Sequence, residues 1–202
     1  AGARVFVFKD FSGIIQTIPF KADGTAVVGA TVATQAEVDA ATSTSVFLTP
    51  ERKRITLGTA VASTSGTAID YTGITAGTRR ITIMFNSVST NGTSNLLVQI
   101  GDAGGIETTG YLSWCMTVAD TTGFLATNSI AATSATVGSM TIDLENTGAF
   151  RWVSKGIVSL DADSKSGAGA KSLSAELDRV RITTVNGTDT FDGGELNISY
   201  ER

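Results

Sequence analysis

From Arg54 onward, apolar residues recur at every second position in short runs, and glycine or asparagine pairs interrupt the runs. Ile81, Ile83 and Phe85 alternate with Arg80, Thr82 and Met84; Met140/Ile142/Leu144, Val180/Ile182 and Leu196/Ile198/Tyr200 keep the same period. A period of two sends alternate side chains to opposite faces of an extended strand. Strands are expected at 55–61, 67–74, 79–88, 95–102, 111–118, 139–146, 152–160, 171–185 and 195–202. Turn signals fall between them at Asn91-Gly92, Gly104-Gly105, Asn146–Gly148, Asn186-Gly187 and Gly193-Gly194. Many short strands without a long amphipathic helix imply two packed antiparallel sheets. The expected fold for residues 54–202 is therefore all-β, an antiparallel β-sandwich of jelly-roll-like form. The Cys-Trp-Cys spacing of an immunoglobulin domain is missing.

Upstream the texture differs. Residues 1–30 read as a small β unit, with two short strands within 4–20 around a turn at Asp10–Gly13 and a second turn at Asp23-Gly24. Residues 31–53 read as a linker with a short helix. Thr34 is placed to cap it, with Glu37 completing a capping box, and Thr49-Pro50 repeats the pattern weakly. Neither piece is large enough to bury a core of its own.

Composition narrows the chemistry. The 202 residues contain no histidine and one cysteine, so a Ser-His-Asp triad, intrachain disulfides and Cys-rich zinc sites are excluded. A net charge of -4 gives no footprint for a phosphate backbone, so nucleic acid is not an expected partner. The apolar runs are far shorter than the roughly 20 residues of a spanning helix, and membrane insertion is not expected. The chain opens AGARVF without an initiator Met, which suggests part of something longer. Threonine (31) and serine (19) together fill about a quarter of the chain, as suits pleated, polar surfaces.

Three acidic clusters are candidate sites. In GDAGGIETTGY, Asp102 and Glu107 stand five apart across a glycine pair. Paired carboxylates can hydrolyse a glycosidic bond when their environments separate their pKa values; otherwise they are a solvated loop. Asp161, Asp163 and Gly167 echo a calcium loop, but Lys165 occupies an oxygen-donor position and the closing Glu is missing, so a solvated turn is expected. Asp189, Asp192 and Glu195 gather around glycines and could hold an ion or simply solvate a hairpin. Among aromatic residues, Tyr71, Tyr111, Trp114 and Trp152 are candidates for stacking on a sugar. Tyr111, at the end of the glycine loop, is expected to be exposed, and Trp114, beside Cys115 in a strand-like run, to pack in the core. No phosphate loop, dinucleotide fingerprint or nucleophile elbow occurs, so no cofactor and no catalytic activity are expected.

The stretch ATVATQAEVDAATSTSVFLTPE, residues 30–51, resembles the TQAEVDAGT…VTP linker of tail-fibre and tail-tip proteins of tailed bacteriophages and prophages. Residues 66–111 and 171–201 look like the β-rich distal module that follows that linker, and residues 1–29 are similar to short β units of phage fibres. Ala41 stands where the family commonly has Gly. The resemblance implies a virion location, a homotrimer, contact with other virion proteins, and a host-surface glycan, pilus or protein receptor. A structural virion component such as a head decoration or fibre-attachment protein is the alternative, and a glycan depolymerase a more distant one. The family supplies no catalytic residues to carry over.

Overall fold

The computed structural model describes Val5–Lys9, Ile15–Pro19 and residues 55–202. The chain divides into two compact units, Ala1–Lys53 and Arg54–Arg202. In the first, the two strands expected within 4–20 are β1 (Val5–Lys9) and β2 (Ile15–Pro19), which pair antiparallel with Val5 opposite Pro19. The turns expected at Asp10–Gly13 and Asp23-Gly24, and the helix expected within 31–53, lie outside the described residues.

The second unit is an all-β domain of two antiparallel sheets. The larger runs, edge to edge, β10 (Val118–Asp120), β9 (Leu112–Cys115), β14 (Asp163–Ser172), β13 (Arg151–Leu160), β12 (Thr136–Asn146), β6 (Arg80–Thr90), β16 (Phe191–Glu201) and β3 (Ile55–Leu57). A short β4 (Val61–Ala62) also pairs with β16. The smaller runs β11 (Phe124–Leu125), β7 (Leu96–Asp102), β15 (Leu177–Thr184) and β5 (Ala68–Thr72), with β8 (Gly105–Ile106) on β7.

The alternation read from the sequence sets which faces meet. Ile81, Ile83 and Phe85 of β6, Met140 and Ile142 of β12, and Leu196 and Ile198 of β16 are buried against Val98 and Ile100 of β7 and Val180 and Ile182 of β15. Burying each such side chain contributes about 1.5–3 kcal/mol, which makes this shared layer the main source of stability. A small-residue rule operates at β14. A Cβ at Gly169 would lie 2.8 Å from the Phe124 ring, so glycine lets β11 rest directly on that strand.

Four segments depart from expectation. Residues 111–118 form a tight hairpin, β9 to β10, because Met116 turns the chain with φ 53° and brings Val118 opposite Cys115. Residues 55–61 break into β3 and the start of β4. The run 171–185 belongs to two strands in different sheets, β14 and β15. The turn expected over 161–167 shrinks to Asp161 and Ala162; β14 has begun by Asp163, and Asp161 takes the reversal with φ 55°.

Candidate functional site

The glycine loop after β7 is tied down by its own acids. The Asp102 carboxylate is 4% exposed and accepts the Ser174 hydroxyl at 2.5 Å and the Gly104 N–H at 2.8 Å. Those two hydrogen bonds, the hydroxyl's first, hold its pKa below the usual carboxylate range. Glu107 accepts the Ser174 N–H at 3.0 Å and forms an ion pair with the buried Lys171. Both carboxylates are therefore clamps between the loop and the segment entering β15. The lowered pKa of Asp102 is the opposite of what a general acid needs.

Tyr111 is the hub of this clamp rather than the exposed ring expected from sequence. It is 3% exposed; its hydroxyl accepts the Ile100 N–H at 2.8 Å and lies 2.9 Å from the Glu107 carbonyl. The ring meets Phe124 edge to face at 5.0 Å, and Lys171 Nζ stands 5.3 Å from its centre. A tyrosine whose polar tip finds backbone partners can be buried without loss. Burial drives its phenol pKa far up.

Trp114 also departs from the core position expected for it, and Trp152, a candidate for stacking on a sugar, is buried. Trp152 on β13 is 1% exposed and sits in the core, whereas Trp114 on β9 is 53% exposed. On β9 the inward positions go to the small Ser113 and Cys115, which leaves Leu112 and Trp114 outside. Tyr111 and Trp152 are thus shut off from any sugar, Tyr71 is half-buried with its hydroxyl donating to the Leu196 carbonyl at 2.7 Å, and Trp114 faces solvent.

The remaining acids are spent locally. Asp161 accepts the Ser134 hydroxyl at 2.6 Å and the Ala135 N–H at 3.3 Å, while Asp163 pairs with Lys165 at 3.3 Å. Asp189 accepts the Asn186 amide at 2.7 Å and the Ser94 N–H at 2.9 Å, which lower its pKa in that order. Asp192 accepts the Ser89 hydroxyl at 2.5 Å. Glu195, at the bend of β16, adds its charge to the burial that pushes Tyr71 up to about 12. Among the described residues no three acids or thiols converge where an ion could be held. The two glycine-rich loops do not converge either. Asp102 pairs with Leu177 and Leu96 with Thr184, so loops 101–111 and 186–190 leave opposite ends of the small sheet.

What the topology does assemble is a polar groove of about 400 Å³ on the outer face of the small sheet. Neighbouring strands place Gln99, Arg181 and Asp70 side by side, in register across β7, β15 and β5. Arg181 grips Asp70 with two bonds of 2.7 Å, which raise its pKa. Gln99 donates to the Thr122 carbonyl at 2.9 Å, and Thr183 to the Thr67 carbonyl at 2.7 Å. Thr108 closes the rim. Gln99 and Thr183 are buried at the floor, 6% and 8% exposed, and Arg181, about a third exposed, is the group of the three that reaches solvent. The sequence carried one signal for it, the outward Arg179, Arg181 and Thr183 of β15, but nothing that tied them to Gln99.

No family model, no curated protein and no solved structure matches the chain.

Proposed function

We propose that the chain is a non-enzymatic virion protein of a tailed bacteriophage, a tail-fibre or tail-tip module that binds a host-surface receptor. The observation that carries the binding role is the groove over Gln99, Arg181 and Thr183. The Gln99 amide and Thr183 hydroxyl are pinned at its buried floor, and the Arg181 guanidinium, held by Asp70, reaches solvent above them. Pre-positioned donors and acceptors spend little entropy on binding, and they suit the hydroxyl-rich surface of a glycan. The phage assignment is supported by the wording of residues 30–51. The jelly-roll-like description of the sandwich belongs to the same reading, and is supported by a chain that crosses between the sheets at β4–β5, β5–β6, β6–β7, β8–β9, β10–β11, β11–β12, β14–β15 and β15–β16. Work in three copies, attached to other virion proteins, follows from the linker's likeness. A structural virion component is the alternative.

The reading is tested by incubating the fluorescent full chain with a panel of intact bacteria. Retention on some strains, competed by polysaccharide extracted from those strains, is the expected result. A chain retained by no strain, but incorporated into phage particles, would turn the assignment to the structural alternative.

A further inference from the structure

The groove over the small sheet meets a ligand with one charged group. Gln99 and Thr183 lie at its floor with donors already committed, to the Thr122 and Thr67 carbonyls. Arg181 stands above them in solvent. Among the described residues no carboxylate lines the groove, and Arg181 is the charged residue of its lining. The chemistry left open on Arg181 therefore decides what the groove selects.

A guanidinium holds five N–H donors in one rigid plane and offers a carboxylate two oxygens' worth of contact along an edge. Asp70 takes the edge made by Nε and Nη2, one oxygen on each, both at 2.7 Å. That leaves one N–H on Nη2 and both on Nη1, the donors of the end-on edge. Strand order fixes where this edge looks. Asp70 lies beside Arg181 on β5, and Gln99 lies beside it on the opposite flank, on β7. With Nε and Nη2 turned to β5, Nη1 is left on the side of the groove, whose lining takes in Gln99 and Thr108 but not Asp70.

We infer that the groove takes an acidic sugar, with the sugar's carboxylate seated on the Nη1–Nη2 edge of Arg181. The inference rests on the groove reading above and narrows its ligand from a glycan to a carboxylate-bearing one. Two coplanar oxygens match two parallel N–H groups, and such charge-assisted pairs are roughly twice as strong as neutral hydrogen bonds. A single negative charge also suits the site. Asp70 already offsets part of the guanidinium's charge, so a doubly charged phosphate monoester would face Asp70 with no second cation in the lining to balance it. A neutral sugar would leave the edge to water. Asp70 is a positioning residue here: it holds the guanidinium plane, so the open edge has its direction before the ligand arrives. The volume of about 400 Å³ falls within the roughly 300–1,000 Å³ of small-molecule sites. Exposed Thr67 and Thr108 meet the sugar's hydroxyls at the rim, and exposed Val185 offers its ring an apolar contact.

The test uses matched probes: immobilised polysaccharide fragments rich in uronic acid, and the same fragments after chemical reduction of their carboxyl groups to alcohols. The fluorescent full chain is expected to be retained at least about tenfold more strongly by the carboxylate form. Arg181→Ala, which should melt near the wild type, is expected to bring that ratio close to one. Arg181→Lys keeps a positive charge without the two-donor edge and should keep only a minor part of the preference. Equal retention of the two forms by the wild type overturns the inference and leaves the groove reading in place. A preference that survives Arg181→Ala, or persists in full in Arg181→Lys, overturns it as well. Retention on both forms that neither Arg181→Ala nor Gln99→Ala reduces is the separate failure of the groove reading, and no retention on any fragment overturns both.

Discussion

The outer faces of the two sheets obey the same alternation and are filled by opposite chemistry. On the small sheet the outward residues are Gln99, Arg181, Asp70 and Thr183, each bonded to a neighbour. On the large sheet the outward residues of β9 and β13 include Leu112, Trp114, Val153 and Ile157, with Arg151, Lys155 and Ser159 alternating among those of β13. Alternation decides only that one side of a strand is outside. Residue choice decides what the outside is for. A polar face with its groups already tied suits a hydrogen-bonding ligand that comes and goes, while an apolar face left bare is costly in water and favours permanent cover.

The contrast can be broken at single positions. Trp152→Ala should lower the stability of the domain by about 3–5 kcal/mol in a denaturant melt, since it empties the core behind β13. Trp114→Ala should cost less than ~0.5 kcal/mol, as for other exposed positions. Equal losses would mean that the inside and outside of the large sheet have been misassigned. Tyr111→Phe comes next, at about 1–3 kcal/mol, because the Ile100 N–H and the Glu107 carbonyl lose a buried partner together. Arg181→Ala on the small sheet should change stability by under ~1 kcal/mol, its pair with Asp70 being partly exposed.

The smallest effect is in acid. Asp102 has a depressed pKa in the folded domain, so its stabilisation is present above its unfolded value near 4 and is lost as pH falls through the lower folded value. Melting temperature should therefore fall below about pH 4, and Asp102→Asn should flatten that part of the profile. A profile unchanged by the substitution would remove Asp102 from the clamp.

How much of this was legible in the sequence depends on the range of the cause. β6 was readable because Ile81, Ile83 and Phe85 declare their face within one strand. The hairpin at Met116 was not, since a left-handed methionine has no local signature like that of Asn-Gly. The loop acids looked like a site because their partners are remote: Ser174 is 72 residues from Asp102. Tyr111 was misplaced for the same reason, its cover coming from Phe124 and Lys171. The groove is a product of strand order, which brings Gln99 beside Arg181 and Arg181 beside Asp70. No pattern inside a single strand encodes that order.

The central claim is that the small sheet's polar groove is the binding face. A glycan array probed with the full chain tests it most directly, with Gln99→Ala and Arg181→Ala run beside the wild type. The account predicts retention on a defined set of glycans that falls at least about tenfold, roughly 1.4 kcal/mol, in both variants, with the melting of Arg181→Ala staying near that of the wild type. Retention that is unaffected by both substitutions, or no retention on any glycan, would contradict it.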